Sequence, residues 1–149
     1  MDKINIEKPE LKDYRKIMQL SKELDDMHIK ERPDILGELT LSDRFILFIT
    51  YYFKDDILIA KDNDKIIGMI AGEKFSKTSY LIKDIYIKEE YRHKNIGKQL
   101  VEKLTIIAKR KGFNRITLNC WEFNKNAKRF YDNLGFSPYI ITYEKNIIY

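Results

Sequence analysis

The segment Tyr80–Lys111, YLIKDIYIKEEYRHKNIGKQLVEKLTIIAKRK, constrains the chain more than any other. An apolar strand pattern runs to Ile87, a basic turn follows from Arg92 to Gly97, and a helical pattern then places Leu100, Leu104, Ile107 and Ala108 on one face. Strand, turn and helix in that order leave a row of backbone N–H groups at a helix start, which is a ready anion site. Arg92, His93, Lys94 and Lys98 add side-chain charge there. A solvated basic surface turn explains the same residues, and chemistry alone leaves both readings open. Within the strand, the aliphatics Ile82, Ile85 and Ile87 are spaced by three and then by two. A strand has period two, so the step of three predicts a bulge near Lys83 and Asp84. The competing reading is a regular strand in which Lys83 snorkels.

The remaining elements follow from periodicity and punctuation. Ile4 and Ile6 suggest a short edge strand that Pro9 ends. Leu11 to Leu24 reads as a helix with Ile17, Leu20 and Leu24 inward. Residues 25 to 40 are less regular, with Pro33 and Gly37 breaking the line. Ser42 or Asp43 caps a second, aromatic-rich helix to about Tyr52, either buried or part of a ligand wall. Ile57–Lys61 and Ile66–Glu73 form a hairpin around Asn63 and Asp64. Gly68 and Gly72 mark a bulge, a close backbone approach or merely tolerated glycines. The helix from Ile96 ends near Lys111 with Gly112 past its end. Strands are expected at Arg115–Cys120 and Tyr139–Glu144, with a short helix between them that starts at Asn124–Asn126 and stops at Gly135. The sum is a mixed α/β fold in one domain, residues 1–149. Its central sheet is mixed and mostly antiparallel, with helices on its faces. The helix between the strands at 82–87 and 115–120 makes a crossover, so those two run parallel.

Bulk properties narrow the function. The formal charge of +5 comes from 28 basic and 23 acidic side chains, interspersed rather than blocked. That is mild for a nucleic-acid binder and fits an anionic ligand. The Walker-type phosphate motif of nucleotide kinases is absent. One cysteine, Cys120, excludes an internal disulfide and a multi-cysteine zinc site, and His28 and His93 leave little for a metal centre. The charged start MDKINIEKPE has no leader pattern, and no segment approaches membrane-spanning length. A soluble cytoplasmic protein without nucleic-acid or membrane partners is expected.

Two motifs carry a resemblance. Arg92-His93-Lys94-Asn95-Ile96-Gly97 is similar to R/Q-x-x-G-x-G/A, and Asn124, Ala127, Phe130, Tyr131, Gly135 and Phe136 stand as N-x-x-A-x-x-F-Y-x-x-x-G-F. In this order they resemble the GNAT superfamily of acetyl-coenzyme A-dependent N-acetyltransferases, over nearly the whole chain and most strongly from Ile57 to Glu144. Asn95 departs from the first motif's glycine, though asparagine tolerates left-handed backbone better than most residues. The resemblance implies acetyl-coenzyme A as co-substrate, a primary amine of a small molecule or peptide as acceptor, direct transfer, and splaying of the parallel strand pair. It is compatible with a homodimer. It implies that the amides of His93, Lys94, Asn95, Ile96, Gly97 and Lys98 hold the pyrophosphate. Arg92 would touch phosphate or hold the loop. The backbone of Ile85, Tyr86 and Ile87 would bond the pantetheine arm, and Asn124 would meet the pantetheine or the adenine side.

Acetyl transfer from a thioester requires a neutral amine, a donor for the developing oxyanion, and a proton for the leaving thiolate. A backbone N–H near Ile87 could polarise the carbonyl. The resemblance gives Tyr131 the role of general acid; without the motif it would read as a core tyrosine. For the base there are two candidates, Glu73 at a strand end and Asp84 at the suspected bulge, with Glu73 placed ahead. Both also read as plain surface carboxylates. Cys120 reads as a small hydrophobe, not a nucleophile. The alternative function is a non-catalytic acyl-coenzyme A-binding or regulatory module of the same fold.

Overall fold

The computed structural model describes residues 3–148. The elements in chain order are β1 (Asn5–Glu7), α1 (Tyr14–Glu31), α2 (Leu41–Phe53), β2 (Ile57–Asp62), β3 (Lys65–Lys74), β4 (Ser79–Ile87), α3 (Ile96–Arg110), β5 (Arg115–Leu118) and α4 (Lys125–Asn133). The chain divides into two compact units, Met1–Asn119 and Cys120–Tyr149.

The first unit holds a five-stranded sheet in the order β1-β2-β3-β4-β5. Its first three pairings are antiparallel, and β4 pairs with β5 in parallel. Helix α3 makes the crossover between those two strands, as the sequence requires of a parallel neighbour. Strand β3 is buried on both faces from Ile66 to Gly72, the pattern of a strand covered by helices on each side. Ile17 and Leu20 of α1 and Phe48 and Tyr51 of α2 pack with Ile57, Ile59, Ile66, Met69 and Ala71 of the sheet. Helix α3 contributes Ile96, Leu100, Val101, Leu104 and Ala108 to the core. Gly112, at φ +91°, follows its end in the left-handed conformation that glycine accepts without strain.

The bulge expected from the isoleucine spacing is present. Asp84 lies opposite Ala71 and Ile82 lies opposite Gly72, so Lys83 is the extra residue. Gly72 beside it is a close approach: a Cβ there would meet the Tyr80 ring. That ring is fixed, because Tyr80 Oη donates to Asp56 Oδ1 at 2.5 Å and Asp56 also binds the Lys111 ammonium.

Several boundaries differ from the sequence reading. Helix α1 continues past Leu24 to Glu31, because Asp25 to Glu31 contains no breaker and Pro33 acts only later. The cap of α2 is Thr40, whose hydroxyl oxygen accepts from Asp43 N while Asp43 Oδ2 accepts from Thr40 N. Residues 45–53 are neither wholly buried nor one wall: Phe48 and Tyr51 face the core, and Phe45, Ile46 and Phe53 are exposed. Strand β5 stops at Leu118, which leaves Cys120 outside it. No strand forms at Tyr139–Glu144. Tyr143 is 88% exposed and Ile148 87% exposed, so the apolar alternation there meets no sheet among the described residues. In the second unit, Asn124 Oδ1 accepts from Ala127 N at 3.1 Å and caps α4, and Gly135 at φ +85° follows its end.

Candidate active site

Strand β4 is longer than the partner on its outer side. Ser79 to Ile82 pair with Arg115 to Leu118, and β4 then continues alone on that side from Lys83 to Ile87. The parallel pair therefore parts at the bulge. Ile85, Tyr86 and Ile87 keep their pairing to Ile70, Met69 and Gly68 of β3, and their other edge is open to an extended ligand.

The chain leaves β4 through a short 3-10 turn at Glu89–Tyr91 and enters α3 at Ile96. Lys88 N donates to Ile67 O at 2.9 Å and Tyr91 Oη donates to Asp62 Oδ2 at 3.1 Å, which fastens this turn to the sheet. His93 and Asn95 are both left-handed, each at φ +61°. The conformation that the motif's glycine would supply is thus adopted by Asn95, one of the few residues that visit it readily. Asn95 places no side-chain cap on α3. The first-turn amides of Ile96, Gly97 and Lys98 have no partner within the helix, and they suit a phosphate group. Arg92 braces the loop: its Nε donates to Ile87 O at 3.0 Å and its guanidinium lies 5.5 Å from the Tyr86 ring centroid. The ammonium of Lys94 sits 5.1 Å from the Tyr91 ring centroid.

The two base candidates flank the bulge. Glu73 lies opposite Leu81, is partly exposed, and stands 3.7 Å from the Lys83 ammonium. Asp84 is only partly accessible. Burial, then the charge of Asp25, lifts its carboxyl from the usual 3.8 to about 6; Glu73 adds to this, and Lys83 and Arg44 oppose it. A carboxyl with that affinity can accept a proton near neutral pH. Tyr51 of α2 faces the same region: burial pushes its phenol up, with Asp84, Glu73 and Asp56 as lesser causes.

Behind Asp84 lies a pair that sequence reasoning missed. Arg44 is 5% exposed and donates to Asp25 Oδ2 at 2.6 Å and Ser21 Oγ at 3.1 Å. The available signal was its spacing, since Arg44, Phe48 and Tyr51 share the inward face of α2. Two open grooves of about 700 and 720 Å³ lie along α1, and neither is lined by Asp84 or the loop at 92–98.

In the second unit, Tyr131 is packed between Phe130 and Phe136, with ring centroids at 5.2 and 5.7 Å. Burial pushes its phenol well above the usual value, and nearby Cys120 adds to the shift. The hydroxyl therefore stays protonated, as a proton donor must. Asn124 uses Oδ1 in the α4 cap and keeps Nδ2 as a donor. Cys120 is half-buried, and burial raises its thiol, which does not suit a nucleophile. Among the described residues, no cluster of three His, Cys, Asp or Glu side chains could hold a metal ion, and no helix is long and apolar enough to cross a membrane.

Comparison with known proteins gives the site its context. The model of the acetyltransferase (GNAT) family matches residues 18–136, across both units. A thialysine N-ε-acetyltransferase of Bos taurus is 37% identical over 54 residues, which is 36% of this chain and 32% of that protein. The chain thus spans about a third of that relative's length. Among solved structures, a mutant of the BH1408 protein of Bacillus halodurans superposes with a TM-score of 0.81 at 23% identity, covering 97% of this chain and 99% of that one. The aminoglycoside N-acetyltransferase AAC(6')-Iy in complex with coenzyme A gives 0.77 at 15% identity, covering 97% and 96%. At these identities the structural likeness concerns the fold.

Proposed function

Because the chain belongs to the acetyltransferase (GNAT) family, we propose that it transfers an acetyl group from acetyl-coenzyme A directly to a primary amine of a small molecule or peptide. The observation that carries the reading is the open edge of β4 past Ile82, which runs into a loop with two left-handed residues at the start of α3. Such an edge suits the amide-bearing pantetheine arm, and the helix start suits the pyrophosphate. The amides of His93 to Lys98 hold the phosphates, Ile85 to Ile87 bond the arm, and Asn124 contributes Nδ2. Arg92 acts as the brace of the loop. The two units work as one acetyltransferase domain, which the family match across both supports.

Asp84 takes the role of general base ahead of Glu73. Its poised carboxyl supports this order. It removes the proton of the acceptor ammonium, directly or through water, so that a neutral amine attacks the thioester carbonyl. Tyr131 supplies the proton to the departing thiolate. A flexible primary amine resembling a lysine side chain heads the acceptor list, on the likeness to the thialysine enzyme. The departure at Asn95 gives no weight to a non-catalytic module, because the residue adopts the backbone that the loop needs.

Two measurements test the reading. Calorimetry should show coenzyme A binding that weakens in Gly97→Val, where a β-branched side chain obstructs close approach of the backbone. Release of free thiol from acetyl-coenzyme A should depend on an added amine. Unchanged affinity in a folded Gly97→Val protein, or no amine-dependent release across a broad panel, would count against it.

A further inference from the structure

Strand β4 carries a single lysine, and it falls on the bulge. Lys83 is the first residue beyond the last pair that β4 makes with β5, Ile82 with Leu118. It therefore stands where the outer edge of the strand opens. The residue is exposed, and its ammonium lies 3.7 Å from Glu73 Oε1. Glu73 is two residues from Ala71 on β3, and Ala71 packs with α1 and α2, so strand alternation puts both on that face of the sheet. Asp84 lies opposite Ala71 and shares the face. The Lys83 ammonium thus sits on the same side of the sheet as both base candidates. An exposed ion pair holds its partners weakly, so the four-carbon stem is free to swing along the open edge.

We propose that Lys83 is an internal acceptor: without another amine, the chain transfers the acetyl group of its own bound acetyl-coenzyme A to Lys83 Nζ. The proposal rests on the cofactor placement given above. With the pyrophosphate at residues 93–98 and the arm along Ile87 to Ile85, the thioester end points back along β4 towards Asp84 and Lys83. Ile87 and Lys83 are separated by about 13 Å of strand, a length that the extended two-amide arm matches. The next lysine along the chain, Lys88, lies at the pyrophosphate end of that path. In the step, the Lys83 ammonium first gives one proton to Glu73 or to solvent. The neutral amine then attacks the thioester carbonyl carbon, a C–N bond forms and the C–S bond breaks. The proton that the nitrogen loses in the attack ends on the departing sulfur. The products are Nε-acetyl-lysine and the free thiol of coenzyme A, with no further reactant. The amide carries no charge, so its ion pair with Glu73 ends and the internal competitor for the acceptor position is gone.

The test incubates the whole chain with acetyl-coenzyme A labelled in its acetyl group, with no amine added, and follows each lysine by peptide mass spectrometry. Lys77 and Lys109 are exposed lysines away from the open edge and report the uncatalysed background. Lys83 should gain label at least about tenfold faster than either, because amine and thioester are held on one molecule. Its rate should saturate with acetyl-coenzyme A, stay first order in protein and slow in Gly97→Val, while Lys77 and Lys109 react in proportion to the reagent and ignore that variant. Lys83→Arg keeps a cation beside Glu73 and removes the nucleophile, so the fast gain of one acetyl group in intact mass should vanish. Label at Lys83 no faster than at Lys77 and Lys109 would overturn the proposal. So would a rate that climbs with protein concentration, which marks transfer between copies. If coenzyme A binds and added amines are acetylated in the same preparation, such a result removes Lys83 alone. If neither occurs, the proposed function falls and the internal acceptor with it.

Discussion

Replacing Asp84 with asparagine should stabilise the folded chain at neutral pH while abolishing its chemistry. Burial and the charge of Asp25 lift the Asp84 carboxyl from 3.8 to about 6 in the folded protein. The folded state therefore holds the proton more tightly than the unfolded chain. Below the unfolded value both states are protonated and ionisation carries no penalty. Between the two values the unfolded chain ionises first, and stability falls by about 1.4 kcal/mol per pH unit. Above about 6 the loss is complete, and the gap from 3.8 makes it roughly 3 kcal/mol. Asparagine carries no charge at any of these pH values. Asp84→Asn should thus gain up to about 3 kcal/mol at pH well above the folded value, or roughly 6–12 °C in Tm for a chain of this size. Near the unfolded value the gain should almost vanish. Urea unfolding of both proteins, followed by circular dichroism across this pH range, measures the difference. A gain independent of pH, or a destabilisation at neutral pH, would refute the reasoning. A stability gain coupled to lost activity is the trade expected of a strained functional group.

Three further outcomes follow from the geometry. Tyr80→Phe keeps a ring that is 1% exposed and removes its 2.5 Å bond to Asp56, so urea unfolding should show a loss of about 1.5–3 kcal/mol, the range for a bond to a charged group. Asn95→Gly should leave coenzyme A affinity near wild type, whereas Asn95→Val at φ +61° should cost about 1–3 kcal/mol in stability and weaken binding by calorimetry. Tyr131→Phe retains the packing against Phe130 and Phe136, so coenzyme A affinity should hold while the chemical step in stopped flow slows roughly 10²–10⁴-fold; an unchanged step would remove Tyr131 as the acid.

The elements around the site were legible because their signals are local. The spacing of Ile82, Ile85 and Ile87 located the bulge at Lys83, and the crossover helix fixed the parallel pairing of β4 with β5. Gly112 and the caps at Asn124 and Gly135 announce themselves by residue type. What sequence could not supply is tertiary. Arg44 and Asp25 are 19 residues apart, on different helices, and neither position signals a buried pair by itself. The preference for Asp84 over Glu73 depends on burial and on charges from two helices and a neighbouring strand. The alternation in Tyr139–Glu144 looks like a strand, yet a strand exists only where another backbone pairs with it, and local pattern does not report the partner.

The central claim is that this chain moves an acetyl group from acetyl-coenzyme A to a primary amine. The direct measurement is single-turnover transfer with an isotopically labelled acetyl group, with product amines identified by mass spectrometry from a panel led by lysine-like and diamine acceptors. The expected result is labelled N-acetyl product formed with matching thiol release, on an acid limb near pH 6, where Asp84 gains its proton. Thiol release without labelled amine, or no labelled product with any amine of the panel, would contradict it; labelled amine formed equally fast by Asp84→Asn across that range would remove Asp84 as the base.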